Sequence, residues 1–78
     1  MYAVIDLETT GGRAEKDRIT EIAIVLHDGI RKVGEFSTLV HPEQSIPPFI
    51  TDITGITDAM VADAPKFYEV ARQVVEMT

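Results

Sequence analysis

Apolar and polar positions change their period along the chain. Tyr2 to Glu8 is a short apolar stretch that ends in Asp6-Leu7-Glu8, and Thr9-Thr10-Gly11-Gly12 breaks it. An apolar run bounded by glycine predicts a short buried strand. Gly11 to Asp17 reads as a polar loop. From Ile19 to His27, Ile22, Ile24 and Leu26 alternate with Ala23 and Val25, which predicts a second strand. Asp28-Gly29, followed by Ile30 and Arg31, is a hairpin signal, and Lys32 to Val40 predicts a third strand. The first half of the chain is therefore expected to form an antiparallel meander.

After His41-Pro42 the period changes. Phe49 to Ile53 predicts a short helical turn with Pro48 at its first position. Thr57 is placed to cap a second turn running through Ala62. Pro65 is expected to open a final helix with Asp63 as its cap. Phe67, Val70, Ala71 and Val74 recur at helical spacing and mark the face that covers a core. No Gly, Asn or Pro stops this helix before Met77-Thr78. Three strands and a helix make an α/β chain.

Composition narrows the chemistry. Seventy-eight residues make one small domain at most. There is no cysteine, so a disulfide or thiolate metal site is excluded; this suits a reducing compartment, and the expected location is cytoplasmic. No apolar run reaches the roughly 18–20 residues of a membrane span. The net charge of −6 argues against a surface that grips nucleic acid along its length.

The carboxylates of the first strand carry the functional signal. Side chains alternate along a strand, so Asp6 and Glu8 share a face with Cα atoms roughly 6.6 Å apart. At an effective dielectric of ~20 their repulsion is on the order of 2–3 kcal/mol. Cations between them would offset it. An exposed, solvated edge-strand pair is the plain alternative.

The string Tyr2 to Gly12 resembles the first motif of the DEDD family of 3′–5′ exonucleases, in the DnaQ-like branch typified by the epsilon subunit of bacterial DNA polymerase III. The resemblance continues in order. Asp17 to Ala23 is similar to the family's second strand, and Phe36 to Pro42 to its third. Ile46-Pro47-Pro48, Thr54 to Thr57 and Met60 to Pro65 are similar to the segments that follow. The resemblance implies the N-terminal half of a ribonuclease-H-like fold, in which the last helix crosses over to a further strand beside the first. The 78 residues then read as a partial exonuclease domain within a longer protein.

The same resemblance implies hydrolysis of terminal phosphodiester bonds of DNA or RNA with two Mg²⁺ or Mn²⁺ ions. Asp6 and Glu8 would be the metal-anchoring catalytic residues. Thr9, Thr10 and Gly11 would lie against the terminal 3′-hydroxyl. Gly55 and Ile56 would meet the terminal bases, with Ile56 as a wedge; a core isoleucine beside a turn is the equal alternative. The family pattern also demands two further aspartates and a general-base His. Their segments are not among these residues, so the chain alone is expected to be inactive. Glu21 is expected to accept hydrogen bonds from loop backbone or to pair with Arg18. His27 is expected to be solvated, and His41 is not the base.

The expected partners are a nucleic-acid 3′ end and a polymerase or other replication or repair protein, with no membrane. A homodimer or other self-association through an unpaired sheet edge is also expected. A non-catalytic association module using that edge is the first rival reading. An unrelated carboxylate metal-binding domain is the second, and the Thr-Thr-Gly and Gly-Ile-Thr segments argue against it.

Overall fold

A computed structural model describes residues 1–13 and 15–78; residue 14, in the expected Gly11–Asp17 loop, lies outside the described residues. The elements follow in the order β1 (Tyr2–Thr9), β2 (Ile19–His27), β3 (Lys32–Leu39), α1 (Pro48–Thr54), α2 (Asp58–Val61) and α3 (Phe67–Met77). The strands form one antiparallel sheet in the order β1-β2-β3, the expected meander.

Sequence explains the local turns. In the β2–β3 hairpin, Asp28 Oδ1 accepts the backbone N–H groups of Ile30 (2.8 Å) and Arg31 (2.9 Å), and Gly29 takes the left-handed backbone with φ of 101°. Pro48 opens α1, where its missing N–H costs nothing. Gly55 closes α1 with φ of 79° and donates its N–H to Thr51 O at 2.7 Å. Thr57 caps α2 by accepting Met60 N–H at its hydroxyl.

The final helix departs from expectation. It begins at Phe67, and neither Asp63 nor Pro65 caps or opens it. Pro65 and Lys66 instead continue as extended chain beside the exit of β3: His41 N–H donates to Pro65 O at 2.8 Å, and Lys66 forms a parallel bridge with His41. Lys66, extended at ψ 158°, becomes the cap position, and Glu69 accepts its N–H at 2.9 Å.

In an antiparallel pair, residues directly opposite share a face. On one face Ile22 and Ile24 of β2 pack with Val40 and with Val70 of α3. On the other, Ile46, Ile56 and Val61 form a second small core, against which Leu39 packs. An α-helix is about 10–12 Å wide and strands lie about 4.8 Å apart, so one helix covers about two strands. With α3 seated on β2, strand β1 is left uncovered: Ile5 and Leu7, on the face of the first core, stay 47% and 46% exposed. β1 is also one of the two edges of the sheet, paired on one side only. Among the described residues no helix is long and apolar enough to cross a membrane.

Candidate active site

Asp6 and Glu8 stand on one face of β1, as their alternation requires. That face is opposite the one covered by α3. Asp6 is opposite Ala23, whose methyl group leaves the carboxylate open, and Asp6 is exposed. Glu8 is half-buried and lies directly opposite Glu21. Neither the Asp6 nor the Glu8 carboxylate has a hydrogen bond or ion pair among the described residues. They are two hard oxygen donors available to a divalent ion, a donor chemistry that fits Mg²⁺ or Mn²⁺. Among the described residues no group of three or more His, Asp or Glu side chains has the geometry of a metal site, so the pair stands without a third side-chain donor there.

Glu21 is where the sequence reading needs correction. It makes no ion pair with Arg18 and accepts no loop N–H among the described residues. Asp17 takes the loop-binding role instead. Its Oδ2 accepts Arg13 N–H at 2.8 Å, and its Oδ1 lies 3.2 Å from the Thr10 hydroxyl. The mispairing is physical: Glu21 belongs to the regular ladder, facing the sheet surface, whereas Asp17 sits in the loop whose amides need acceptors.

The ladder is interrupted between Glu8 and Thr9, where the register shifts. The chain then turns. Thr9 Oγ1 donates to Gly11 O at 2.5 Å and accepts Gly11 N–H at 3.3 Å. Thr10 is 1% exposed. Its hydroxyl donates to Gln44 Oε1 at 2.7 Å and accepts Arg18 N–H at 2.9 Å. Gln44 in turn donates Nε2 to Lys16 O at 3.1 Å. The Thr10 side chain is thus engaged by the scaffold. A Cβ on Gly11 would lie 2.5 Å from Asp17 Oδ2, so this position admits no side chain unless Asp17 moves.

Gly55 and Ile56 lie on the β3-side core. Gly55 is the left-handed cap of α1, and Ile56 is 4% exposed against Ile46 and Val61. Its side chain is core here. Leu39, which borders that core, is the register partner of Glu21, so the cross-strand row Glu8–Glu21–Leu39 runs from the carboxylates to the Ile56 cluster. Thr9, Thr10 and Gly11 adjoin the carboxylates directly, whereas Ile56 approaches them across the width of the sheet.

Two groups were not read from the sequence. One is the Thr10–Asp17–Gln44 network, which joins residues 34 positions apart. The other is a pair of exposed apolar side chains on α1, Phe49 (63%) and Ile53 (75%). Neither His is placed to act on the carboxylates. His27 is opposite Tyr2 at the far end of β1, its Nδ1 accepting Gly29 N–H, and His41 Nδ1 accepts Glu43 N–H.

Comparison with known proteins agrees with this architecture. The exonuclease (RNase_T) family profile matches residues 3–78. The DNA polymerase III subunit epsilon of Treponema pallidum is 44% identical over 88% of this chain, which spans 32% of that protein. The 3′-5′ exonuclease DinG of Staphylococcus haemolyticus is 38% identical over 94% of this chain, which spans 8% of that protein. The structure of Exonuclease X in complex with 5′ overhanging duplex DNA superposes with a TM-score of 0.84 at 38% identity, covering 95% of this chain and 43% of that one. The meander and helices of this chain therefore correspond to part of a ribonuclease-H-like exonuclease domain, and the chain belongs to the exonuclease (RNase_T) family.

Proposed function

We propose that the protein is a 3′–5′ exonuclease that hydrolyses the terminal phosphodiester of DNA or RNA, with Asp6 and Glu8 as metal-anchoring catalytic residues. The observation that carries this reading is the placement of Asp6 and Glu8. They occupy one open face of β1, without partners among the described residues, next to the Thr9–Gly11 turn. Two Mg²⁺ or Mn²⁺ ions, when bound, supply an acidified water and charge stabilisation for the attacking and leaving oxygens. The residues of this chain contribute the rest. Asp6 and Glu8 fix the position of that charge, and the Thr9–Gly11 backbone receives the terminal sugar.

Asp6 and Glu8 need further carboxylates and a base. We place two aspartates and the general-base His in segments outside these 78 residues, which span 8–43% of the relatives described above. On this reading the 78-residue chain alone is inactive. The DNA in the Exonuclease X complex supports a DNA 3′ end as a substrate, and the epsilon relative supports a polymerase as a partner. The test is polarity: the full-length protein with Mg²⁺ or Mn²⁺ should release labelled mononucleotides from a 3′-labelled strand and leave a blocked 3′ end intact.

The open edge of β1 favours a second reading for the isolated chain, association of copies through that edge.

A further inference from the structure

A cleft of about 510 Å³ opens beside the Thr9–Gly11 turn, between the loop that follows it and α1. That volume is within the roughly 300–1,000 Å³ of sites that take a small-molecule-sized group. Its walls include Gly11, Gly12, Arg13, Lys16, Gln44 and Phe49. Three observations make it more than a surface dip. First, the wall is fixed: the Thr10–Gln44 and Gln44–Lys16 hydrogen bonds tie the β1 exit to the loop and to the segment before α1. Second, the two cations on this wall, Arg13 and Lys16, form no ion pair among the described residues, as is also true of Arg18 and Arg31 elsewhere, whereas Lys32, Lys66 and Arg72 each do. The only carboxylate on the described wall, Asp17, is engaged by Arg13 N–H and the Thr10 hydroxyl. Third, Phe49, an aromatic residue that is 63% exposed, lines the same wall.

A fixed cleft with two unneutralised cations and an open aromatic face matches a nucleotide: phosphate oxygens meet the cations, and the base meets the ring. The chain carries a net charge of −6, so a cationic cleft here is a local departure from the whole.

We propose that this cleft holds a nucleotide upstream of the one being removed, with its base stacked on Phe49 and its phosphate against Arg13 and Lys16. This rests on the exonuclease reading and extends it: the cleft would set the affinity for a strand, while Asp6 and Glu8 serve the bond that is cut. A single-stranded segment entering through the cleft reaches the Thr9–Gly11 turn, since the two are contiguous in the chain and Gly11 belongs to both.

The test uses the full-length protein and two substrates. One is a 3′-labelled single-stranded oligonucleotide, and the other is the p-nitrophenyl ester of thymidine 5′-monophosphate, which has no upstream nucleotide. Phe49→Ala should raise KM for the oligonucleotide by about 5- to 150-fold, the range of one base–aromatic stack, with kcat little changed. The ester should be cut within about twofold of wild type, and Phe49→Tyr should restore the oligonucleotide KM. In equilibrium binding of the same oligonucleotide in Ca²⁺, the double variant Arg13→Ala/Lys16→Ala should reduce the salt slope of log K by about 1.4, two single-strand phosphate contacts. Arg31→Ala, on the hairpin, should leave that slope unchanged. An unchanged oligonucleotide KM in Phe49→Ala, or an equal rise for both substrates, would overturn the cleft assignment while leaving the exonuclease reading intact. Wild-type protein that cuts neither substrate would overturn the exonuclease reading, and the cleft assignment with it.

Discussion

Glu8 and Glu21 face each other directly across the β1–β2 ladder, both half-buried, on the face that also carries Asp6. Directly opposed residues have Cα atoms about 4.5–5.5 Å apart, and like charges in that relation destabilise a sheet. Glu21→Gln keeps the shape and removes one charge. In metal-free protein it should stabilise the fold by about 0.2–1 kcal/mol, raising Tm by a few degrees, about 4–8 °C per kcal/mol for a domain of this size. Thermal unfolding followed by circular dichroism reads this, and a lowered Tm would mean that Glu21 accepts a bond that the register does not reveal.

Thr10 is the residue whose loss should be felt most in the turn. Its hydroxyl serves Gln44 Oε1 and Arg18 N–H inside a site that is 1% exposed. Thr10→Val fills the same volume but leaves both partners unpaired, and an unsatisfied buried polar group costs about 1–3 kcal/mol. Urea unfolding should show a loss in that range with an unchanged m value. A loss below the lower end would mean that water replaces the hydroxyl.

Much of the sheet was legible because its period is local. Ile22, Ile24 and Leu26 alternate against Ala23 and Val25, and Asp28-Gly29 names its own turn, so β2 and the hairpin needed no tertiary information. The shared face of Asp6 and Glu8 followed from the same alternation. The start of α3 did not, because the extended stretch at Pro65 and Lys66 is held by His41, a contact across the fold. Glu21 was misread for a related reason. Its partner is set by the β1–β2 register, and the nearby loop residue Asp17 is the carboxylate that accepts from the loop backbone. Gln44 had no signal at all, since its value lies in reaching Thr10 from a distant segment.

The hairpin carries a pH signature. The backbone N–H groups of Arg31 and Ile30 beside Asp28 hold its carboxyl below the ordinary value of 3.8. A carboxyl with a lowered folded-state pKa adds stability that is complete above its unfolded value and is lost as pH falls through the folded one. The Ile30 and Arg31 amide signals should therefore titrate on acidification with a midpoint below the ordinary value of 3.8. Asp28→Asn should abolish that titration. Amide shifts that move with a midpoint above 3.8 would contradict the bonding geometry.

The uncovered strand β1 makes a prediction for the 78-residue chain in isolation. Val4, Ile5 and Leu7 are 60%, 47% and 46% exposed along an edge that pairs on one side. Exposed apolar edges of this kind template further strands. Light scattering over a concentration series should show self-association, and Leu7→Lys should weaken it. A strictly monomeric chain at high concentration would show that the edge is protected in some other way.

The central claim is that Asp6 and Glu8 anchor the charge on which hydrolysis depends. Asp6→Asn keeps the shape of the side chain and, because Asp6 is exposed, should leave the fold in place. Single-turnover hydrolysis of a 3′-labelled oligonucleotide by the full-length protein, wild type against Asp6→Asn at saturating Mg²⁺ or Mn²⁺, is the most direct measurement. Losing a metal ligand removes several kcal/mol of charge stabilisation, so the variant should be slower by about a thousandfold with circular dichroism unchanged. Hydrolysis by Asp6→Asn at the wild-type rate would contradict the account.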